Sequence, residues 1–383
     1  MTKRKKIAIF SGYYLPFLGG IERYTNKISN ELTKLGYTVV IVTTNHANLP
    51  EYEQIDQLTI YRLPVYKLFK NRYPIIKKDQ DYRRLFNKIE SENINYVICN
   101  TRFQLTTLLG LKFAKRHNIE PLVIEHGSSH FSVGSKALDF LGVIYEHCLT
   151  TVVKHYAPKF YGVSKRCNQW LKHYRINASG VFYNSVDADT YEKFKAKSYK
   201  KDFSDKIVVT YAGRIIKEKG VEMLLAAFSE VSKRYKNTVL VVAGDGPLLS
   251  AVKTKYKIPQ IFFEGKLDYD EMMSLMNVTD IFCYPSMYPE GLPTSILEAG
   301  IMRSAVIATD RGGTKEVIIS PEYGIIVKED ENSIKKALED LISDPSRIIR
   351  LKSNLHKRIK NSFTWKTTAI EVDRVLKEMS NGE

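Results

Sequence analysis

The stretch Pro289-Glu290-Gly291-Leu292-Pro293-Thr294-Ser295-Ile296-Leu297-Glu298-Ala299 sets two carboxylates on either side of a glycine and a helix start. Thr294 and Ser295 read as capping residues and Pro293 suits a first helical turn. Such a helix start presents free backbone N–H groups and the positive end of a dipole, which is a site for phosphate. Glu290 precedes that end and Glu298 lies about one turn inside it, so the pair is spaced to reach opposite parts of one ligand. Taken alone, the two acids read more simply as a capping acid and a solvated helix residue. A second loop, Tyr211-Ala212-Gly213-Arg214-Ile215-Ile216-Lys217-Glu218-Lys219-Gly220, carries a planar guanidinium and a compact ammonium. Arg214 and Lys219 together have the charge to neutralise a diphosphate; a solvated basic turn is the simpler reading without context. Gly244-Asp245-Gly246-Pro247 permits a tight turn and close backbone approach, and is weak by itself.

Three further features lie in the first half. Gly12 and the pair Gly19-Gly20 join a strand to a helix and let a ligand touch backbone. They form neither a GxGxxG nor a GxxxxGK[ST] pattern, so a dinucleotide cofactor is not favoured. His126, in Glu125-His126-Gly127, ends a short apolar run, where an imidazole is placed to meet a substrate hydroxyl; an isolated His is more often structural. No GxSxG elbow, HExxH pair or CxxC spacing is present, so no metal site is expected. The four cysteines lie far apart, which fits a reducing compartment.

These loops need elements to hold them. Short apolar runs (Ile7–Phe10, Thr38–Val42, Tyr96–Cys99, Leu122–Ile124, Phe160–Val163, Val181–Tyr183) alternate with helical spacing such as Glu22–Lys34 and Leu105–His117. The pattern restarts at Ile207–Tyr211 and continues through Thr238–Ala243, Ile261–Glu264, Ile281–Tyr284, Ala305–Ala308 and Gly324–Val327. Strand–helix alternation implies right-handed βαβ units and parallel sheets. The chain is thus α/β with two Rossmann-like domains, 1–186 and 187–364, the polar Asp187–Lys206 stretch acting as linker. In such sheets ligands bind beyond the carboxyl ends of the strands, where the loops above fall.

Charge is uneven. Of the net +16, the first 186 residues carry +14, from 27 Lys/Arg against 13 Asp/Glu. That field attracts anions: nucleic acid, an anionic membrane face or a phosphorylated substrate. Lys67, Lys70, Arg72, Lys77, Lys78, Arg83 and Arg84 interleave with aromatics between Tyr66 and Lys88. Such a segment suits an anionic lipid surface or single-stranded nucleic acid, or else is a solvated basic helix packing Leu85, Phe86 and Ile89 on the sheet. The longest mostly apolar region, Ala137–Val153, is broken by Asp139, Glu146 and His147, and a membrane span needs about 20 apolar residues.

Taken in order, these motifs resemble glycosyltransferase family 4, retaining sugar-nucleotide transferases of the GT-B fold, over nearly the whole chain. The matching parts are Gly19-Gly20-Ile21-Glu22, Glu125-His126-Gly127, Gly162-Val163-Ser164, Asn184-Ser185-Val186-Asp187, Gly213-Arg214-Ile215 with Lys219-Gly220, Gly244-Asp245-Gly246-Pro247 and Glu290 to Ala299, with Phe363-Thr364-Trp365 near the end. The resemblance implies two Rossmann-like domains facing a central cleft, with a C-terminal helix (365–383) crossing back to an acceptor-binding first domain and the second binding the sugar nucleotide. It implies that Arg214 and Lys219 grip the donor diphosphate, that Glu290 faces the donor sugar, that Glu298 binds ribose hydroxyls and that His126 sits near the reacting sugar. Gly291, Leu292, Pro293 and Thr294 would present backbone to sugar and phosphate, with Gly19, Gly20 and Gly244 lining the donor. Donor choice is left open by Ser185, where many members have glycine, and by the loop Glu290-Gly291-Leu292-Pro293.

The expected activity is metal-independent, cofactor-free transfer of a hexose-type sugar, from a UDP-sugar in preference to a GDP-sugar. The expected acceptor is a lipid-diphosphate-linked glycan at the inner face of a bacterial cell membrane, in capsule or exopolysaccharide assembly. Two other readings compete. An inactive transferase-like partner protein is disfavoured by the intact Glu290, Arg214, Lys219, Glu298 and His126. A nucleic-acid-binding protein is disfavoured because no zinc finger, homeodomain or RNP signature appears.

Overall fold

A computed structural model describes residues 4–17, 19–66, 74–132 and 134–381. Along the chain these form β1 (Lys6–Phe10), α1 (Gly20–Lys34), β2 (Thr38–Thr44), β3 (Tyr52–Ile55), β4 (Leu58–Leu63), β5 (Val65–Tyr66), β6 (Ile75–Ile76), α2 (Gln80–Glu90), β7 (Tyr96–Asn100), α3 (Leu105–Arg116), β8 (Pro121–Glu125), α4 (Lys136–His155), β9 (Lys159–Gly162), α5 (Lys165–Leu171) and β10 (Gly180–Val181). There follow α6 (Thr190–Phe194), β11 (Ile207–Ala212), α7 (Val221–Arg234), β12 (Thr238–Ala243), α8 (Leu249–Lys255), β13 (Ile261–Gly265), α9 (Tyr269–Val278), β14 (Ile281–Tyr284), α10 (Thr294–Ile301), β15 (Ala305–Thr309), α11 (Thr314–Val317), β16 (Ile325–Val327), α12 (Glu331–Ile342), α13 (Pro345–Ser362) and α14 (Trp365–Asn381). They make two compact units, 1–183 with 365–383, and 184–364.

The first unit is built on a sheet of order β10-β9-β8-β7-β1-β2-β4-β3. All pairings are parallel except β3 with β4. Strands buried on both faces must be apolar throughout, and β1 shows why. Ile7 and Ile9 point to a core shared with Tyr24, Ile28 and Leu32 of α1, while Ala8 and Phe10 point to one shared with Leu85, Phe86 and Ile89 of α2 and Phe113 of α3. The α14 helix closes the first of these cores with Trp365, Ala369, Val372 and Leu376. Its seat is specific: the Trp365 ring meets Tyr24 edge-on at 5.3 Å, and the Tyr37 hydroxyl donates to Asp373 at 2.8 Å.

The second unit holds the parallel sheet β13-β12-β11-β14-β15-β16. Its strand order reverses between β11 and β14, which opens a crevice at their carboxyl ends. In the first unit the same reversal falls between β1 and β7.

Two expectations are corrected. The boundary falls after Tyr183, not after Val186. The stretch Asp187–Lys206 is no linker: Val186 bridges Thr364, and Thr190, Phe194, Tyr199 and Phe203 are buried in the second unit. Its anchoring aromatics are spaced among lysines, which masks them in a polarity count. Strands β3 to β6 were not read from the sequence; β4 contains Arg62, buried only because Glu53 and the Pro50 carbonyl engage its guanidinium at 2.8 and 3.0 Å.

Candidate active site

In the second unit the loops after β11 and β14 meet at the strand-order reversal. The first is set by backbone. Gly213 donates to the Ala243 carbonyl at 3.1 Å and Ile215 to that of Asp245 at 2.9 Å, which lays it against the loop after β12. Gly244 sits at φ +141°, and a Cβ there would run into the Gly213 carbonyl oxygen. Gly220, at φ +71°, begins α7 so close to the β14 loop that a Cβ would strike the Pro285 carbonyl. Lys219 is thereby delivered to the residues that follow β14.

The Lys219 ammonium donates to the Tyr284 hydroxyl at 2.9 Å and contacts the Glu290 carboxylate directly. Tyr284 in turn donates to Glu290 Oε1 at 2.8 Å. Burial, reinforced by the Glu290 charge, pushes the Tyr284 phenol well above its ordinary value, so it stays a donor. The Lys219 ammonium also lies 4.9 Å from the Tyr288 ring centre. Arg214 is exposed in the loop five residues earlier, with its backbone carbonyl held by the Tyr211 hydroxyl at 2.9 Å. Tyr284 is the residue that sequence reasoning missed here; as the last residue of an apolar strand it carried no sign of a polar role.

The loop after β14 ends in α10. Thr294 is the first helical residue rather than the cap, which corrects the sequence expectation; the cap position belongs to Pro293, and no side chain caps the helix. The N–H groups of the first turn are therefore presented without a side-chain oxygen at the cap. Gly291 and Leu292 are oriented through their carbonyls, which accept from Gly313 N–H at 2.9 Å and Asn184 Nδ2 at 3.1 Å. Glu298 is buried within α10. The structure thus joins Lys219 to Glu290, and places Arg214 and Gly244 on neighbouring loops at the carboxyl end of the same sheet, with Glu298 inside the helix that follows the β14 loop.

In the first unit the loop after β1 is tied across the strand-order reversal by Gly12 N–H, which donates to Gln104 Oε1 at 2.8 Å. Gly19 caps α1 and Gly20 opens it; the Glu22 carboxylate, buried, accepts from the Gly19 N–H. Burial raises the Glu22 pKa, and those backbone bonds oppose the rise. His126 follows β8. Thr25 Oγ1 donates to the Ile21 carbonyl at 2.7 Å, so it must accept from Asn100 Nδ2, also at 2.7 Å. That orients the amide, and Asn100 Oδ1 then accepts from His126 Nε2–H at 2.9 Å. The imidazole is held as the Nε2–H tautomer with Nδ1 as its lone-pair nitrogen. Burial pushes its pKa down to about 3, so it is neutral at ordinary pH although part of the residue stays open to solvent.

Beneath His126 lies a charged network that the spacing in the sequence did not reveal. Arg102, Glu125 and Glu146 are fully buried, and Arg102 donates to Glu125 at 2.6 Å and to Glu146 at 2.5 Å. Glu125 also accepts from Gly127 N–H at 3.1 Å, which fixes the chain on both sides of His126.

Of the basic surface residues, Lys67, Lys70 and Arg72 lie outside the described residues. Lys77, Lys78, Arg83 and Arg84 are exposed; Lys77 pairs with Asp79, and Arg84 with Glu51 and Asp81. An apolar patch lies elsewhere in the same unit: Leu138, Phe140, Leu141 and Ile144 of α4 are all exposed. Among the described residues no helix is long and apolar enough to cross a membrane.

Residues 18–190 match the family model described as Glycosyltransferase Family 4, and residues 192–362 the model described as Glycosyl transferases group 1. The chain is 28% identical to an uncharacterised glycosyltransferase of Methanocaldococcus jannaschii, over 99% of this chain and all of that one. It is 23% identical to a human protein of the phosphatidylinositol N-acetylglucosaminyltransferase, over 99% of this chain and 77% of that one. In fold it is similar to the Anabaena protein HepE, solved in complex with UDP, at a TM-score of 0.74 and 15% identity over 98% of this chain and all of that one. With the two models matched in series from residue 18 to residue 362, the chain belongs to glycosyltransferase family 4.

Proposed function

We propose that this glycosyltransferase transfers a hexose-type sugar, with retention of anomeric configuration, from a nucleoside-diphosphate sugar to a lipid-linked acceptor. The observation that carries the reading is the cation pair Arg214 and Lys219 beside an α10 start that no side chain caps. A diphosphate leaving group needs positive charge fixed in place as the donor's C1–O bond breaks. Arg214 supplies a planar fork, Lys219 a point charge and α10 its first N–H groups. These groups stabilise the developing charge without a metal ion being invoked. Glu290, locked to Lys219 and Tyr284, serves the donor sugar, and Glu298 the ribose. In the first unit His126 offers Nδ1 as acceptor for a sugar hydroxyl proton, and Gly19 and Gly20 allow close backbone approach; in the second unit Gly244 does the same. The acceptor oxygen forms the new bond to C1 on the face the leaving group departs from, and its proton passes to the departing phosphate oxygen.

A UDP-sugar is the favoured donor and a GDP-sugar the alternative; the UDP bound to the Anabaena protein supports the choice of base. The acceptor reading rests on the +14 first half and the exposed apolar residues of α4. The human relative's phosphatidylinositol-based name adds support for a lipid phosphate. We place the enzyme at the inner face of a cell membrane, building a surface polysaccharide on a lipid diphosphate. The test is thermal stabilisation by a panel of UDP-, GDP- and ADP-sugars, since a ligand of the native state raises its melting temperature by mass action. A shift confined to UDP compounds, followed by turnover whose product keeps the donor's anomeric signal in NMR, supports the reading. A folded protein that responds to none of them would sink it.

A further inference from the structure

Three histidines far apart in sequence converge in the first unit. One ring nitrogen from each of His130, His147 and His173 lies within 4.8 Å of the others. The Nε2 atoms of His147 and His173 face each other at 3.2 Å. Two imidazole nitrogens bound to one tetrahedral zinc at about 2.0–2.1 Å would be about 3.3 Å apart. His147 and His173 are exposed and His130 half-buried, so an ion can enter and a water can complete the set.

What lies behind His130 separates this cluster from a chance gathering of surface rings. Its Nδ1 is 3.2 Å from Glu146 Oε2 and 3.1 Å from the Tyr174 hydroxyl. Glu146 is fully buried and already accepts from Arg102, from the Phe131 N–H at 2.9 Å and from Tyr174 at 2.9 Å. The Tyr174 hydroxyl spends its proton on Glu146, so both oxygens beside His130 Nδ1 face it as acceptors; His130 therefore carries its proton on Nδ1 and keeps a lone pair on Nε2. A buried carboxylate that fixes the tautomer and ring of a histidine is the arrangement that supports metal-ligating imidazoles. The other rings are also held: Trp170 stacks on His173 at 4.8 Å, and Tyr174 packs against His147 at 4.8 Å.

We propose that His130, His147 and His173 bind a divalent transition-metal ion of the zinc class, oriented by Glu146 and separate from the donor-binding loops. The ion joins three elements: the loop that begins at His126, the α4 helix and the turn after α5. Through Glu146, Arg102 and Glu125 it reaches the backbone on either side of His126, so it is a structural fastener for that loop.

The test uses tag-free, chelator-stripped full-length protein titrated with Co2+ and Zn2+. One equivalent of Co2+ with the intense visible bands of a tetrahedral site, displaced by Zn2+, is expected, together with a raised melting temperature. Both are expected to disappear in His147→Ala with His173→Ala, whose zinc affinity should fall by at least about 100-fold. These two residues are exposed, so the variant should fold, which circular dichroism checks. Absence of uptake by the wild type overturns the proposal. So does uptake of the same strength and spectrum by the double variant.

Discussion

The Lys219 ammonium and the Glu290 carboxylate are in direct contact, and the Tyr284 hydroxyl bonds both. A cation assigned to a diphosphate is thus held in place by an acid, which fixes its position and cancels part of its charge. The two residues should separate on mutation. Lys219→Ala removes the cation, and turnover should fall by about 100- to 1,000-fold, as for loss of one preorganised donor. Glu290→Gln leaves the cation with less opposing charge, so UDP should bind as tightly as before or tighter while turnover still falls. Calorimetric UDP titration beside steady-state rates checks this; weakened UDP binding in Glu290→Gln would refute the coupling.

Gly244 and Gly220 should not tolerate alanine. Both have positive φ, and at each a Cβ would meet a backbone carbonyl, of Gly213 or Pro285, that cannot swing aside as a side chain does. The cost should be about 2 kcal/mol or more, with the loops that carry Arg214 and Lys219 displaced. Gly20, whose Cβ would meet nothing within 4 Å, is the control. Urea midpoints of the three alanine variants test the contrast, and equal midpoints would reject it.

The loops after β11 and β14 stood out in the sequence because their chemically capable residues are local. Strand end, glycines, cations and helix start fall within ten residues around Arg214 and Lys219, and strand end, glycine, both acids and helix start within the fifteen residues from Tyr284 to Glu298. The same applies to the parallel sheets, whose strands are continuous apolar runs. Non-local pairing was illegible. Arg102 finds Glu125 and Glu146 at 23 and 44 positions away, and His130, His147 and His173 meet only because α4 and α5 pack near the loop after β8. Strand β4 was lost because it carries Arg62, and nothing in its own sequence shows that Glu53 of β3 reaches the guanidinium.

His126 should make stability depend on pH. In the unfolded chain it takes up a proton near pH 6.5, whereas in the fold it resists protonation down to about 3. Its contribution is therefore complete above pH 6.5 and drains as pH falls from there towards 3. The slope is at most about 1.4 kcal/mol per pH unit, and about 1 with partial solvent access allowed for. Between about pH 7 and pH 5.5 the wild type should lose about 1 kcal/mol more than His126→Gln. Urea unfolding of both proteins at the two pH values measures the difference; parallel losses would mean that the imidazole is protonated in the fold.

Lipid binding should divide between a charged part and an apolar part. Lys77, Lys78, Arg83 and Arg84 are exposed, but two of the four are engaged by acids, so their pull on a membrane is weaker than their number suggests. On α4, Phe140 and Ile144 stand one turn apart and are 66% and 47% exposed, enough surface to enter a headgroup layer. Charge and insertion respond differently to salt, because a surface charge is screened over about 10 Å at 0.1 M whereas buried apolar area is not. Reversing the four cations should weaken sedimentation with anionic vesicles at low salt and matter little at high salt. Phe140→Ser with Ile144→Ser should weaken it at both, and since these side chains are exposed the fold should survive. Retention of full binding by the serine variant at high salt would remove α4 from the membrane face, and with it the main structural support for a membrane-held acceptor.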